Sequence, residues 1–83
     1  MASRMKCYQR NADAYERRWR TASEQGNTAE MYAATRDYEK NIKAQEEELK
    51  QMDPNSRDYE KAKSSIEEQR ATHHEMSREQ RSQ

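Results

Sequence analysis

The residues of this chain best equipped for chemistry are the run His73-His74-Glu75-Met76 and a lone cysteine, Cys7. Imidazole, carboxylate and thiolate are the groups that hold transition metals. Their spacing argues against that use. Neighbouring residues on a helix point about 100° apart, whereas zinc-binding helices place two histidines at i and i+4. Cys7 sits at the opposite end of the sequence. No metal and no other cofactor is expected, and His73 reads as a half-buried imidazole that resists protonation.

Catalysis finds no footing either. A phosphate-cradling loop needs several glycines, and there is one, Gly26. No nucleophile, base and orienting group can be read together. The carboxylates alternate with basic residues in the manner of solvated helix faces. The expectation is a protein without catalytic residues and without a small-molecule substrate.

A second cluster, Tyr15-Glu16-Arg17-Arg18-Trp19-Arg20, mixes the residue types that dominate protein interfaces and that also serve nucleic acid. Tyr15 and Trp19 fall on an apolar stripe, so the expectation is a packed core flanked by a basic patch of Arg17, Arg18 and Arg20. Sixteen basic and sixteen acidic residues leave the chain neutral, which makes a nucleic-acid partner unfavoured.

The elements that must carry these residues are helices. Met5, Tyr8, Ala12, Tyr15, Trp19 and Ala22 recur at alternating steps of three and four, the spacing of a coiled-coil seam. The pattern predicts a helix over 3–25, ended by Gly26. Met31, Thr35, Tyr38, Ile42, Gln45, Leu49 and Met52 predict a second over 28–52, with Asn27 and Glu30 as a capping box and Thr28 as the rival cap. Tyr59, Ala62, Ile66, Gln69, His73 and Met76 predict a third over 55–77. Pro54 is expected in its first turn, and a polar tail over 78–83 is expected to fray. Pairs spaced i to i+4 support the helices: Glu16 with Arg20, Glu39 with Lys43, Glu46 with Lys50.

Arg36 to Lys40 repeats letter for letter at Arg57 to Lys61, and Glu46-Glu47 recurs at Glu67-Glu68. The offset is three heptads, which preserves a seam. Short connections reverse direction, so the fold class expected is all-α: two to three long amphipathic helices forming an antiparallel coiled-coil hairpin or a three-helix bundle in a single domain over 1–83. A reversal about residues 54 to 55 sets Ile42 near Ile66, Leu49 near Tyr59 and Met31 near Met76. A reversal about Gly26 sets Tyr15 near Tyr38 and Trp19 near Ala33 or Ala34.

The apolar content is thin. Hydrophobic residues make up 30% of the chain and charged residues 39%, with no Phe, two Ile and one Leu. A chain this small and this polar is expected to seek a partner helix or a second copy of itself. Thr35, Gln45, Gln69 and His73 on the stripes either form a wet seam or meet polar groups of that partner. No apolar run is long enough to span a membrane, and one cysteine permits no internal disulfide, so a reducing cytoplasmic setting is expected, with signal-independent export as the alternative.

The break at Asp53-Pro54-Asn55-Ser56 between two helices, with Tyr59 shortly after, resembles type III secretion needle subunits over residues 46 to 70. It departs from their pattern at Ser77 to Gln83, which are all polar where an apolar segment belongs. Small helical secretion chaperones and phage scaffolding proteins share the composition, and no residue is assigned from these likenesses.

The reading is a non-catalytic helical protein–protein interaction module (an adaptor, small chaperone or assembly factor) that acts through coiled-coil packing. Its packing residues are Tyr8, Tyr15, Trp19, Tyr38, Ile42, Leu49, Tyr59 and Ile66, with Met31, Met52 and Met76 as adaptable contacts. The alternatives are a self-assembling subunit of a filament, secretion apparatus or scaffold, and, more weakly, a nucleic-acid-associated regulator acting through the basic first helix.

Overall fold

The computed structural model describes residues 3–82 and contains three helices, α1 (Ser3–Glu24), α2 (Thr28–Lys50) and α3 (Arg57–Arg81). The chain runs up, down and up again, with extents of 44 × 20 × 15 Å. It is an all-α three-helix bundle, one of the two architectures the periodicity predicts.

The first reversal is built as the sequence dictates. Gly26 takes φ +68, open to glycine and strained for other residues. That conformation lets Asn27 N–H reach back to Ala22 O at 2.8 Å and Gly26 N–H to Ser23 O at 3.1 Å, the paired bonds of a Schellman motif. Asn27 caps α2 by accepting from Glu30 N–H at 3.2 Å, so Thr28 is the first helical residue and not the cap.

The second reversal differs from expectation. α2 ends at Lys50, and α3 begins only at Arg57 behind a Ser56 cap, whose hydroxyl accepts from Tyr59 N–H at 3.1 Å. Pro54 therefore lies in the connection, where the Asp53 carboxylate accepts from Asn55 N–H at 2.9 Å. Asp58 and Glu60 in the first turn of α3, with Arg78 and Arg81 in its last, oppose the helix dipole.

α3 continues through Arg81, so residues 78–81 extend the helix beyond the expected fray point, and Gln80 is buried. Gln83, the last residue of that tail, lies outside the described residues.

The three stripes face one another. Met5, Ala12, Trp19, Ala22, Met31, Ala34, Tyr38, Ile42, Ala62, Ile66 and Met76 form one buried cluster, with Tyr8, Tyr15, Leu49 and Met52 partly buried against it. The two tyrosines of the three-heptad repeat, Tyr38 and Tyr59, do not share one environment, since only Tyr38 belongs to the buried cluster. Their depths differ: Tyr38 is buried and Tyr59 only partly so.

The register of α2 against α3 departs from the expected one. Gln45 bonds Gln69, Glu46 bonds Arg70, and Thr35 meets Gln80. A reversal centred on residues 54 to 55 would bring Gln45 level with residues 63 to 64 and Tyr38 with residues 70 to 71. Gln45 meets Gln69 and Tyr38 meets His73, so α3 is displaced by about three to five residues, roughly 4 to 8 Å of helix. Ile42, Ile66, Met31 and Met76 nonetheless belong to one buried cluster, with Leu49 packed against it. The register adopted pairs buried amide with buried amide, which the expected one leaves unpaired.

Candidate functional site

α2 is the central element. It packs along both neighbours, while α1 and α3, which run parallel, touch only sparsely. The sparse contact leaves a groove between them. One stretch, of about 530 Å³, is lined by Glu16, Trp19 and Arg20 from α1 and by Ala71, Thr72, Glu75, Met76 and Glu79 from α3. A second, of about 340 Å³, continues past Gln9, Ala12 and Asp13 on one side and Ser65, Glu68 and Gln69 on the other, with Tyr38 of α2 at its base. Glu16 and Thr72 border both stretches.

The groove has an apolar floor and an acidic rim. Trp19, Met76, Ala12 and Tyr38 supply the floor. Five carboxylates line it (Asp13, Glu16, Glu68, Glu75 and Glu79) against one guanidinium, Arg20, which is bound to Glu16 at 2.6 Å. Burial, with Glu16 and Asp13 adding to it against a hydrogen bond to Thr72, raises the Tyr38 pKa, so its phenol stays protonated there. Such a trough suits an aliphatic stem ending in a cation, stem on the floor and head at the rim.

Beneath the groove lie the polar stripe residues, and they are satisfied within the chain. Gln45 and Gln69 bond each other reciprocally. The Gln80 carbonyl accepts from Trp19 Nε1–H at 3.2 Å and lies 2.7 Å from the Thr35 hydroxyl, whose proton is shared with Met31 O at 2.9 Å. Asn41 donates to Tyr8 O at 2.7 Å. Thr35, Gln45 and Gln69 thus each have hydrogen-bond partners within the chain.

His73 is the exception. Its ring stacks on Tyr38, and its Nε2 is buried without a hydrogen bond, 3.7 Å from a Glu39 carboxylate oxygen. Burial holds its pKa below the ordinary imidazole value, against the pull of Glu39 and with Arg70 and His74 adding to the depression. His74 and Cys7 are exposed, and among the described residues no three His, Cys, Asp or Glu side chains are grouped to hold a metal.

The packing residues named from sequence fall as follows. Trp19, Tyr38, Ile42 and Ile66 are buried; Tyr8, Tyr15, Leu49 and Tyr59 are partly buried. Of the adaptable methionines, Met31 and Met76 are buried and Met52 partly so. The stripe thus packs largely inside one chain.

The basic patch is largely neutralised. Arg18 binds Glu30 at 2.5 Å and Asp37 at 3.1 Å and lies over the Tyr15 ring, Arg20 binds Glu16, and Arg17 is exposed. Lys43 pairs with Glu39 at 3.5 Å as expected, but Lys50 turns to Glu47 because Glu46 bridges to Arg70. No helix of the described residues is long and apolar enough to cross a membrane.

The chain matches no protein-family model, and neither a curated protein nor a solved structure matches it.

Proposed function

We propose that the chain is a non-catalytic helical protein–protein interaction module, an adaptor, small chaperone or assembly factor, whose contact surface is the groove between α1 and α3. The observation that carries this reading is the pairing of an apolar floor with an acidic rim along a trough between two parallel helices. A basic amphipathic helix laid there adds a fourth helix to the bundle, its cationic side chains reaching between the rims. Exposed Cys7 remains a thiol in a reducing cytoplasm, the setting proposed.

Titration of the isotopically labelled protein with a lysine-rich amphipathic peptide, and with its glutamate-rich counterpart, tests this. Amide shifts at Asp13, Glu16, Glu68, Thr72 and Glu79 with the basic peptide alone are expected. No shift with either peptide, or shifts gathered on α2, would overturn the reading.

Self-assembly is the second reading, and one observation favours it: the outer face of α2 is opposite in charge to the groove. Nucleic-acid binding through α1 has less support, since two of the three arginines are occupied by carboxylates.

A further inference from the structure

The face of α2 turned away from the core carries Tyr32, Arg36, Lys40, Lys43, Glu47 and Lys50, all exposed. Their steps of four, four, three, four and three keep them on one ridge of the helix. Four are cations and one is an anion. Tyr32, 49% exposed, is the one large hydrophobic residue exposed among the described residues. Of the α2 carboxylates, Glu30 and Asp37 hold Arg18 of α1 and Glu46 holds Arg70 of α3, while Glu39 and Glu47 pair with the ridge cations Lys43 and Lys50. That division leaves Arg36 and Lys40 as the ridge cations with no ion pair among the described residues.

The ridge lies opposite the groove. Buried Met31, Tyr38, Ile42 and Gln45 face the bundle interior and the groove beyond it, so the ridge residues point the other way. A chain that is neutral in total is therefore basic along one long side and acidic along the other. Arg36 and Lys40 on the ridge, and Asp13, Glu68 and Glu79 in the groove, have no ion-pair partner among the described residues. Ridge and groove are each about 20 to 27 Å long at 1.5 Å per residue.

We propose that the occupant of the groove is the α2 ridge of a second copy of this chain, so that copies stack side by side. This rests on the groove reading above and names its partner. Simple translation is enough: α2 runs antiparallel to α1 and α3, so a neighbour in the same orientation enters the groove antiparallel to both walls. At the level set by the Thr35–Gln80 and Gln45–Gln69 contacts, Arg36 and Lys40 then come against Glu79, Glu75 and Asp13. Because ridge and groove sit on opposite sides, one contact leaves a free ridge and a free groove, and the stack does not close.

Sedimentation velocity and light scattering on the full chain test this. At low ionic strength the mass should climb with concentration without a plateau, and added salt should return it to that of one chain. The pairs Arg36→Glu with Lys40→Glu, and Asp13→Lys with Glu79→Lys, should each abolish growth while leaving the helical circular dichroism intact. An equal mixture of the two should grow again, because reversed ridge meets reversed groove and native meets native, whereas two misfolded variants would not rescue each other. A single chain at every concentration, or a closed dimer indifferent to both pairs, overturns the stack. Should a basic peptide shift the groove amides of a chain that stays single, the second-copy assignment falls and the groove reading stands.

Discussion

Gln45 and Gln69 exchange two hydrogen bonds across the α2–α3 seam, Gln45 Nε2–H donating to Gln69 Oε1 at 2.6 Å and Gln69 Nε2–H to Gln45 Oε1 at 3.1 Å. Both side chains are buried. Replacing one, as in Gln45→Leu, strands the other amide and should cost about 1–3 kcal/mol in urea unfolding. Replacing both by Leu should recover most of that loss, since a buried polar pair is weak evidence for stability. What the double variant should lose is register, seen as broadened contacts between α2 and α3 in spin-label distances. A single variant as stable as the parent would show that the amide pair is not formed.

His73 predicts the direction of the pH response. Burial lowers its pKa in the folded chain below the unfolded value, against Glu39 and together with Arg70 and His74. The unfolded chain therefore takes up a proton that the folded chain resists. Stability is unaffected by this group above about pH 6.5 and declines as pH falls below it. His73→Phe keeps the stack on Tyr38 and removes the unbonded Nε2. It should stabilise by about 1 kcal/mol at neutral pH, and its advantage should widen as the solution is acidified. Parallel pH profiles for the two proteins would refute this.

Gln80 should matter despite lying at the end of a polar stretch. It is the acceptor for the Trp19 indole N–H and lies beside the Thr35 hydroxyl. Gln80→Ala should cost about 1–2 kcal/mol by leaving the indole N–H without its acceptor. Trp19 emission should shift with it. Removal of residues 78–83 should do the same, and an unchanged spectrum in both would exclude the contact.

Gly26 should tolerate substitution sterically but not conformationally. A Cβ there meets nothing within 4 Å, so the positive φ alone sets the penalty. Gly26→Ala should cost about 1 kcal/mol in thermal or urea unfolding, and Gly26→Asn less, because Asn enters the left-handed region more readily. Equal losses for the two would point to a packing effect instead.

What the sequence disclosed was periodicity. Every member of the α1 stripe from Met5 to Ala22 is buried or partly buried, and the α3 stripe continues one step beyond Met76 to Gln80. Gln80 escaped notice because a glutamine among Ser77, Arg78, Glu79 and Arg81 carries no apolar signal. Asn41 was hidden for the same reason, between Lys40 and Ile42. The α2–α3 register was illegible because hydrophobic spacing fixes which face packs, while amide recognition fixes how far one helix slides along the other. The groove could not be read at all, since it arises from the separation of two helices distant in sequence. The ridge was readable: Arg36, Lys40 and Lys43 share one helical face, a pattern visible once Met31, Tyr38 and Ile42 are set opposite.

The meagre contact between α1 and α3 bears on the order in which the chain assembles. The hairpin of α1 and α2 closes over a three-residue link and brings together residues near in sequence, which favours early and rapid formation. α3 then zips mainly onto α2, with only a few contacts to α1, such as Trp19 to Gln80, to hold it besides. Amide exchange in α3 should accordingly outpace that in α2, with the last helix peeling away as a unit while the first two remain folded.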